Sequence, residues 1–115
     1  MNKNKDFWDL LIKLVNESEI IIDRPKGSKH PKMEDIIYPI DYGFLNGTKS
    51  MDNSGIDLWK GSNKNIEING IFCTIDLWKK DSEIKIIIGC NDEEIKIIQK
   101  FYDKKDTLKG LLILK

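Results

Sequence analysis

The period of the apolar positions changes several times along this chain, and each change marks a new element. Trp8, Leu11, Leu14 and Val15 recur at helical spacing, so positions 6–16 are predicted to form a helix with one apolar face. Asp6 can cap it, and Asp9 in its first turn suits the helix dipole. Ile20, Ile21 and Ile22 form a β-branched run, and 18–23 is predicted as a strand. Positions 24–35 read as loop. There Pro25, Gly27 and Pro31 stand among five basic side chains: Arg24, Lys26, Lys29, His30 and Lys32. The stretch 36–45 mixes apolar and aromatic residues, with Pro39 and Gly43 limiting regular structure.

A polar turn region at 46–55 precedes a short strand at 56–59, and 63–65 is a turn. Positions 66–78 form a long extended stretch. Positions 83–88 read as another strand, with Glu83, Lys85 and Ile87 on one face and Ile84, Ile86 and Ile88 on the other. Asn91 and Glu94 have the spacing of a capping box. Asp92, Glu93 and Glu94 crowd the positive end of the helix that follows, with Ile95, Ile98 and Phe101 or Tyr102 as its apolar stripe. Gly110 precedes a last strand at 111–114. Five short strands and a late helix predict a small β-barrel with a helix packed on it. The words Ile56-Asp57-Leu58-Trp59-Lys60 and Ile75-Asp76-Leu77-Trp78-Lys79 repeat, and two strands of the same pattern account for them.

A chain of 115 residues suits one domain, 1–115. Its 19 acidic and 19 basic residues cancel, which argues against a nucleic-acid-coating protein. A local pocket for a charged phosphate needs only local asymmetry. No apolar run approaches the roughly 20 residues that span a bilayer. Positions 1–6 are polar and lack the apolar stretch of a signal peptide. Cys73 and Cys90 are not a C-x-x-C pair and read as small buried apolar residues. A cytoplasmic protein without membrane or nucleic-acid partners fits these observations.

The chemistry concentrates between Asp23 and Asp57. The segments are Ile22-Asp23-Arg24-Pro25-Lys26-Gly27-Ser28, then Tyr38-Pro39-Ile40-Asp41-Tyr42-Gly43-Phe44, then Asp52-Asn53-Ser54-Gly55-Ile56-Asp57. Their order closely resembles the soluble family I inorganic pyrophosphatases. That family has an acidic residue two places before a proline, a Tyr-Pro-x-x-Tyr-Gly-aromatic segment, and an Asp-x-Asp-x-x-Asp loop entering a strand. Here Ser54 replaces the middle aspartate of the loop.

The resemblance implies an α+β, mainly β fold: an OB-like five-stranded barrel with an N-terminal helix and a late packed helix. It implies Mg²⁺-dependent hydrolysis of pyrophosphate to two phosphates. Asp52, Asp57, Glu83, Asp76 and Asp23 would hold or support metal, with Asp81 competing with Asp76. Lys32, Tyr42, Lys85 and Lys105 would hold phosphate, and Asp52, Ser54 and Asp57 would form the catalytic loop. Lys85 stands two residues after Glu83, the spacing of the family's aspartate and phosphate-binding lysine.

The sequence departs from the family elsewhere too. A hairpin between the first two segments is deleted, and a phosphate-binding arginine goes with it. Lys104 stands where a tyrosine is expected.

The physical chemistry is compatible with this likeness. Pyrophosphate travels with Mg²⁺, a hard ion that takes oxygen ligands, and needs Lys, Arg or Tyr donors for its remaining oxygens. Simpler readings stand beside these roles. Asp52 and Asp57 suit a solvated turn, Glu83 and Lys85 a cross-strand pair, and Tyr38 and the three tryptophans core or rim packing. His30 is read as an exposed side chain. A serine is a poor base, and losing a positioned base costs about 10²–10⁴-fold in rate. The alternative function is therefore a module that binds pyrophosphate or another phosphate-bearing ligand, such as a nucleotide, without turnover. A homo-oligomer is compatible with either.

Overall fold

The computed structural model describes residues 3–115. Helix α1 spans Lys3–Asn16, starting earlier than the apolar spacing required. The strands are β1 (Glu19–Arg24), β2 (Asp41–Asn46), β3 (Ile56–Lys60), β4 (Ile68–Asp76), β5 (Asp81–Ile88) and β6 (Leu108–Leu114), with helix α2 (Asp92–Phe101) between β5 and β6. The capping box is present: Glu94 N–H donates to the Asn91 side chain, and Asn91 N–H donates to the Glu94 carboxylate.

One sheet contains all six strands, in the order β1-β2-β3-β5-β4-β6. The expected five-stranded barrel is thus corrected to a six-stranded sheet whose outer strands are β1 and β6. The additional strand is β2, from the stretch that Pro39 and Gly43 were expected to keep irregular. Pro39 lies just before it. Gly43 lies within it because β1 passes too close for a side chain: a Cβ there would meet the Ile21 carbonyl oxygen at 1.8 Å. Neighbours run antiparallel except β3 and β5, which are parallel.

Alternation sends each strand's residues to two separate cores. Leu45, Leu58, Ile68, Ile86 and Ile88 pack with Val15 and, from α1, with Trp8, Leu11, Ile12 and Leu14. Tyr38, Ile40, Tyr42, Trp59, Phe72 and Ile87 pack with Ile98 and Tyr102, backed by Ile95 and Phe101 of α2. The second core is strongly aromatic. Tyr42 meets Trp59 edge-on with ring centroids 4.8 Å apart, and the Trp59 indole N–H donates to Tyr102 Oη at 3.0 Å. That bond satisfies the one polar atom of a fully buried indole. Among the described residues no helix is long and apolar enough to cross a membrane.

Candidate active site

The α2 face of the sheet turns polar at one end. Asp57 and Lys85 lie two residues before Trp59 and Ile87, and so on the same face. Parallel pairing of Trp59 with Ile87 brings Asp57 and Lys85 alongside each other. Tyr42 pairs with Trp59 from the other side. The result is one connected cluster. Tyr42 Oη donates to Asp57 Oδ2 at 2.8 Å. Lys85 Nζ reaches Asp57 Oδ2 at 2.8 Å, Glu83 Oε2 at 2.5 Å and Tyr42 Oη at 3.1 Å. Three oxygens occupy the three donors of one ammonium.

The cluster is shielded but reachable: the side chains of Lys85, Glu83 and Asp57 are 13%, 22% and 30% exposed. Burial opposes the Lys85 charge, but Tyr42, Asp57 and Tyr102 outweigh it and hold its pKa above the ordinary lysine value. Burial also drives the Tyr42 phenol well above its ordinary range, with Lys85 countering only part of the effect. At neutral pH the cluster therefore holds an ammonium and an intact phenolic donor.

Arg24, which has no role in the motifs read above, adjoins it. A register irregularity between Ile22 and Arg24 sets Arg24 opposite Tyr42. Its guanidinium carbon lies 5.3 Å from the Tyr38 ring centroid and 5.8 Å from that of Tyr42, and Nη1 donates to Tyr38 Oη. Partial burial opposes its charge, yet the Tyr38 hydrogen bond and the nearby Tyr38, Tyr42 and Asp23 outweigh it and raise its pKa.

The other expected residues lie in turns and loops. Asp52 accepts from Ser50 Oγ and from Ser54 N–H at 3.0 Å. The Ser50 bond, then the Ser54 amide, holds its carboxyl below the ordinary range, with a lesser contribution from Lys85. Ser54 is exposed, and its carbonyl accepts from Ser50 N–H at 2.7 Å. Asp76 closes the β4–β5 turn by accepting from Trp78 N–H at 3.0 Å and Lys79 N–H at 3.1 Å. Asp81 pairs with Asp76 across that hairpin. Asp23 is exposed at the β1 irregularity, and Lys32 is exposed in the long loop. Lys105 Nζ donates to the thioether of Met33 at 3.2 Å.

So Asp57, Glu83, Lys85 and Tyr42 meet, while Asp52, Ser54 and Asp76 are engaged in local turns. Among the described residues no group of three or more His, Cys, Asp or Glu side chains is arranged to hold a metal ion. A cavity of about 240 Å³ lies elsewhere, lined by Ile12, Val15, Ile66, Ile68 and Lys115, and holds none of the expected residues.

The fold and this carboxylate–lysine–tyrosine cluster together define a mainly β protein with a charged site at one end of its sheet. Its architecture is found in solved structures. It is similar to an inorganic phosphatase from Anaplasma phagocytophilum, with a TM-score of 0.54 and 13% sequence identity over 83% of this chain and 81% of that one. It is also similar to an inorganic pyrophosphatase from Neisseria gonorrhoeae, with a TM-score of 0.50 and 18% identity over 80% of this chain and 71% of that one. At these identities the likeness is one of fold. No protein-family model matches the chain, and no curated protein matches it in sequence.

Proposed function

We propose that this protein binds pyrophosphate at the Tyr42–Asp57–Glu83–Lys85 cluster and hydrolyses it to two phosphates with Mg²⁺. The observation that supports this most is the meeting of two carboxylates, an ammonium and a phenol contributed by three strands. The fold shared with an inorganic pyrophosphatase adds to it.

The donor set suits Mg²⁺ of one kind. Mg²⁺ commonly takes one or two carboxylates together with substrate phosphate and several waters, without a dedicated protein cage. Asp57 and Glu83 are the two carboxylates of this reading, with Asp52, inside the field of Lys85, as a third candidate. Bound with substrate there, Mg²⁺ would neutralise phosphate charge and lower the pKa of a bound water.

The chain's own residues supply the rest. Lys85, released from one carboxylate, offers its donors to phosphate oxygens. Tyr42 keeps its proton and orients Asp57 or donates to the substrate. Both act by positioning and charge stabilisation. Lys32 and Lys105 are the further phosphate-holding residues of this reading.

A second reading, binding without turnover, is favoured by Ser54. It carries no charge, and its backbone is tied into the turn with Asp52 and Ser50. Phosphate release from pyrophosphate, measured with Mg²⁺ on the native chain and on Asp57→Asn, separates the two. The enzyme reading expects turnover that falls at least 100-fold in the variant. Background release across metals and pH, with pyrophosphate still bound, leaves the binding module. Ser54→Asp is then expected to raise hydrolysis above background. If it stays inert while binding pyrophosphate, the base is not what the chain lacks.

A further inference from the structure

The two outer strands of the sheet end it in different ways. β1 carries Glu19, Asp23 and Arg24 among its 6 residues and breaks register between Ile22 and Arg24. Charge and irregularity of that kind keep an edge from pairing with another chain. β6 has a single charged side chain, Lys109, among its 7 residues, and it pairs with β4 without a break from Leu108 to Leu114. Among the described residues no strand pairs with its outer side. Leu77 N–H donates to the Thr107 carbonyl and Lys115 N–H to that of Asn69, both at 2.9 Å. The odd-numbered residues of β6 thus turn their backbone groups to β4, and Gly110, Leu112 and Leu114 turn theirs outward. Leu108 is closed off by its bridge to Lys105.

An apolar strip leads across the sheet to this edge. Cys73 pairs with Ile84 on one side and with Leu111 on the other, so the three form one row. Ile75 and Ile113 stand beside that row on the same face. This is the face that carries α1, but α1 packs over β2, β3 and β5 at Leu45, Leu58 and Ile86 and leaves the row uncovered. Ile75, Ile84 and Ile113 are exposed, and Leu111 is 65% exposed. Lys85, next to Ile84 along β5, points to the opposite face, so the strip and the charged cluster lie on different sides of the sheet.

We propose that β6 pairs antiparallel with the β6 of a second copy of this chain, across a two-fold axis at Leu111, so that the two sheets become one. A second copy fits because a two-fold contact needs a self-complementary surface, and charge selects its register. Centred on Leu111, the Gly110 of each copy exchanges backbone hydrogen bonds with the Leu112 of the other. Leu111 faces Leu111 as a non-hydrogen-bonded pair, in which side chains approach most closely. Lys109 then faces Ile113, and the two Lys109 residues stand ~13 Å apart along the strands. Centring the pair on Leu112 would set Lys109 against Lys115, a like-charged pair. Centring it on Gly110 would set Leu111 against Lys109 and lose the apolar match. Because β1 is guarded, each copy has one such edge, and the assembly closes at the dimer without growing into a fibre. One strand pair is a small contact beside a standard interface of about 1,600 Å², so the dimer is expected to be reversible.

Sedimentation equilibrium of the full chain over a concentration series measures the assembly. A monomer–dimer equilibrium without larger species is expected. Leu111→Lys sets two ammonium groups together at the two-fold axis and is expected to raise the dissociation constant by ~100-fold. Ile84→Lys, on the same strip but away from the edge, is expected to leave it unchanged. Near-ultraviolet circular dichroism checks that each variant keeps the aromatic core. The register is read by oxidation in a Cys73→Ser background, which removes the thiol beside Leu111. There Leu111→Cys is expected to give a covalent dimer and Lys109→Cys none. Three results each overturn the proposal: a monomer throughout the series, an equilibrium unchanged in a folded Leu111→Lys chain, or crosslinking by Lys109→Cys in place of Leu111→Cys. A chain that stays monomeric leaves the β6 edge to a strand from a different protein, and the second copy is then the wrong occupant.

Discussion

The pentapeptide Ile-Asp-Leu-Trp-Lys occurs twice in this chain and ends in two unlike structures. At Ile56–Lys60 it is strand β3, flanked by β2 and β5. Leu58 and Trp59 are fully buried on opposite faces, and Asp57 is bonded to Tyr42 and Lys85. At 75–79 only the first two residues belong to a strand, and the rest form the β4–β5 turn. There Trp78 is 84% exposed, against 0% for Trp59, and Asp76 accepts from its own backbone two and three residues on. Identical local propensity thus yields a core strand in one place and a capped turn in the other. The deciding difference is tertiary. The first copy has partner strands on both edges and an aromatic core above it, while the second runs off the end of a hairpin. The chemistry follows, since an aspartate becomes a site residue only where neighbouring strands bring it a lysine and a tyrosine.

The two copies differ most at their tryptophans. Trp59→Ala removes a filled core position and the partner of Tyr102, and is expected to cost about 3–5 kcal/mol. Trp78→Ala is expected to stay within about 0.5 kcal/mol. Denaturant unfolding of both variants measures the gap, and equal losses would mean that the two copies are not as different as their burial. Next are the aspartates. Asp57→Asn leaves Lys85 short of a charged acceptor and is expected to cost about 1.5–3 kcal/mol. Asp76→Asn keeps an acceptor for the turn amides and is expected to cost less than about 1 kcal/mol.

A subtler distinction is alkaline. Burial raises Tyr42 and pushes Tyr102 to about 12, and Lys85 is raised by Tyr42 and Asp57 against the opposing effect of burial. The folded chain therefore keeps these protons at a pH where the unfolded chain releases them. Stability should be undiminished by these groups below pH about 10 and should fall as pH rises beyond it. Tyr42→Phe is expected to soften that fall, as seen in urea midpoints between pH 8 and 11, whereas changes at Asp76 should leave its slope unaltered. The smallest effect is at His30, whose lowered pKa has the opposite sign. Its contribution is present above the ordinary histidine value of 6.5 and fades as pH drops through the folded value, and His30→Gln should flatten that slight acid-side slope.

Much of this architecture is legible in residue order because it rests on local rules. The α1 stripe, the Asn91–Glu94 capping box and the alternation at 83–88 depend only on spacing, and each recurs in the fold. Asp57, Glu83, Lys85 and Tyr42 stand out in their segments, and in the fold they meet. The errors come from long-range geometry. Gly43 reads as a breaker, yet it is the residue that lets β1 approach β2. Trp78 reads as packing and lies in solvent because its hairpin ends beneath it.

Arg24 is the instructive omission. Ile20 and Ile22 pack with the α1 core, so plain alternation would send Arg24 to that same face. The irregularity after Ile22 turns it opposite Tyr42 instead. A bulge leaves little trace in sequence, and the one available hint is that the only arginine directly follows the motif aspartate.

In the proposed site Asp57 and Glu83 serve one cation while Lys85 serves the anion beside it. A crystal soaked with Mn²⁺ and pyrophosphate tests this through the anomalous signal of the metal. The expected result is a Mn²⁺ peak bonded to carboxylate oxygens of Asp57 and Glu83, with phosphate density in contact with Lys85 and Tyr42. A metal bound elsewhere, or pyrophosphate density away from that end of the sheet, would contradict it.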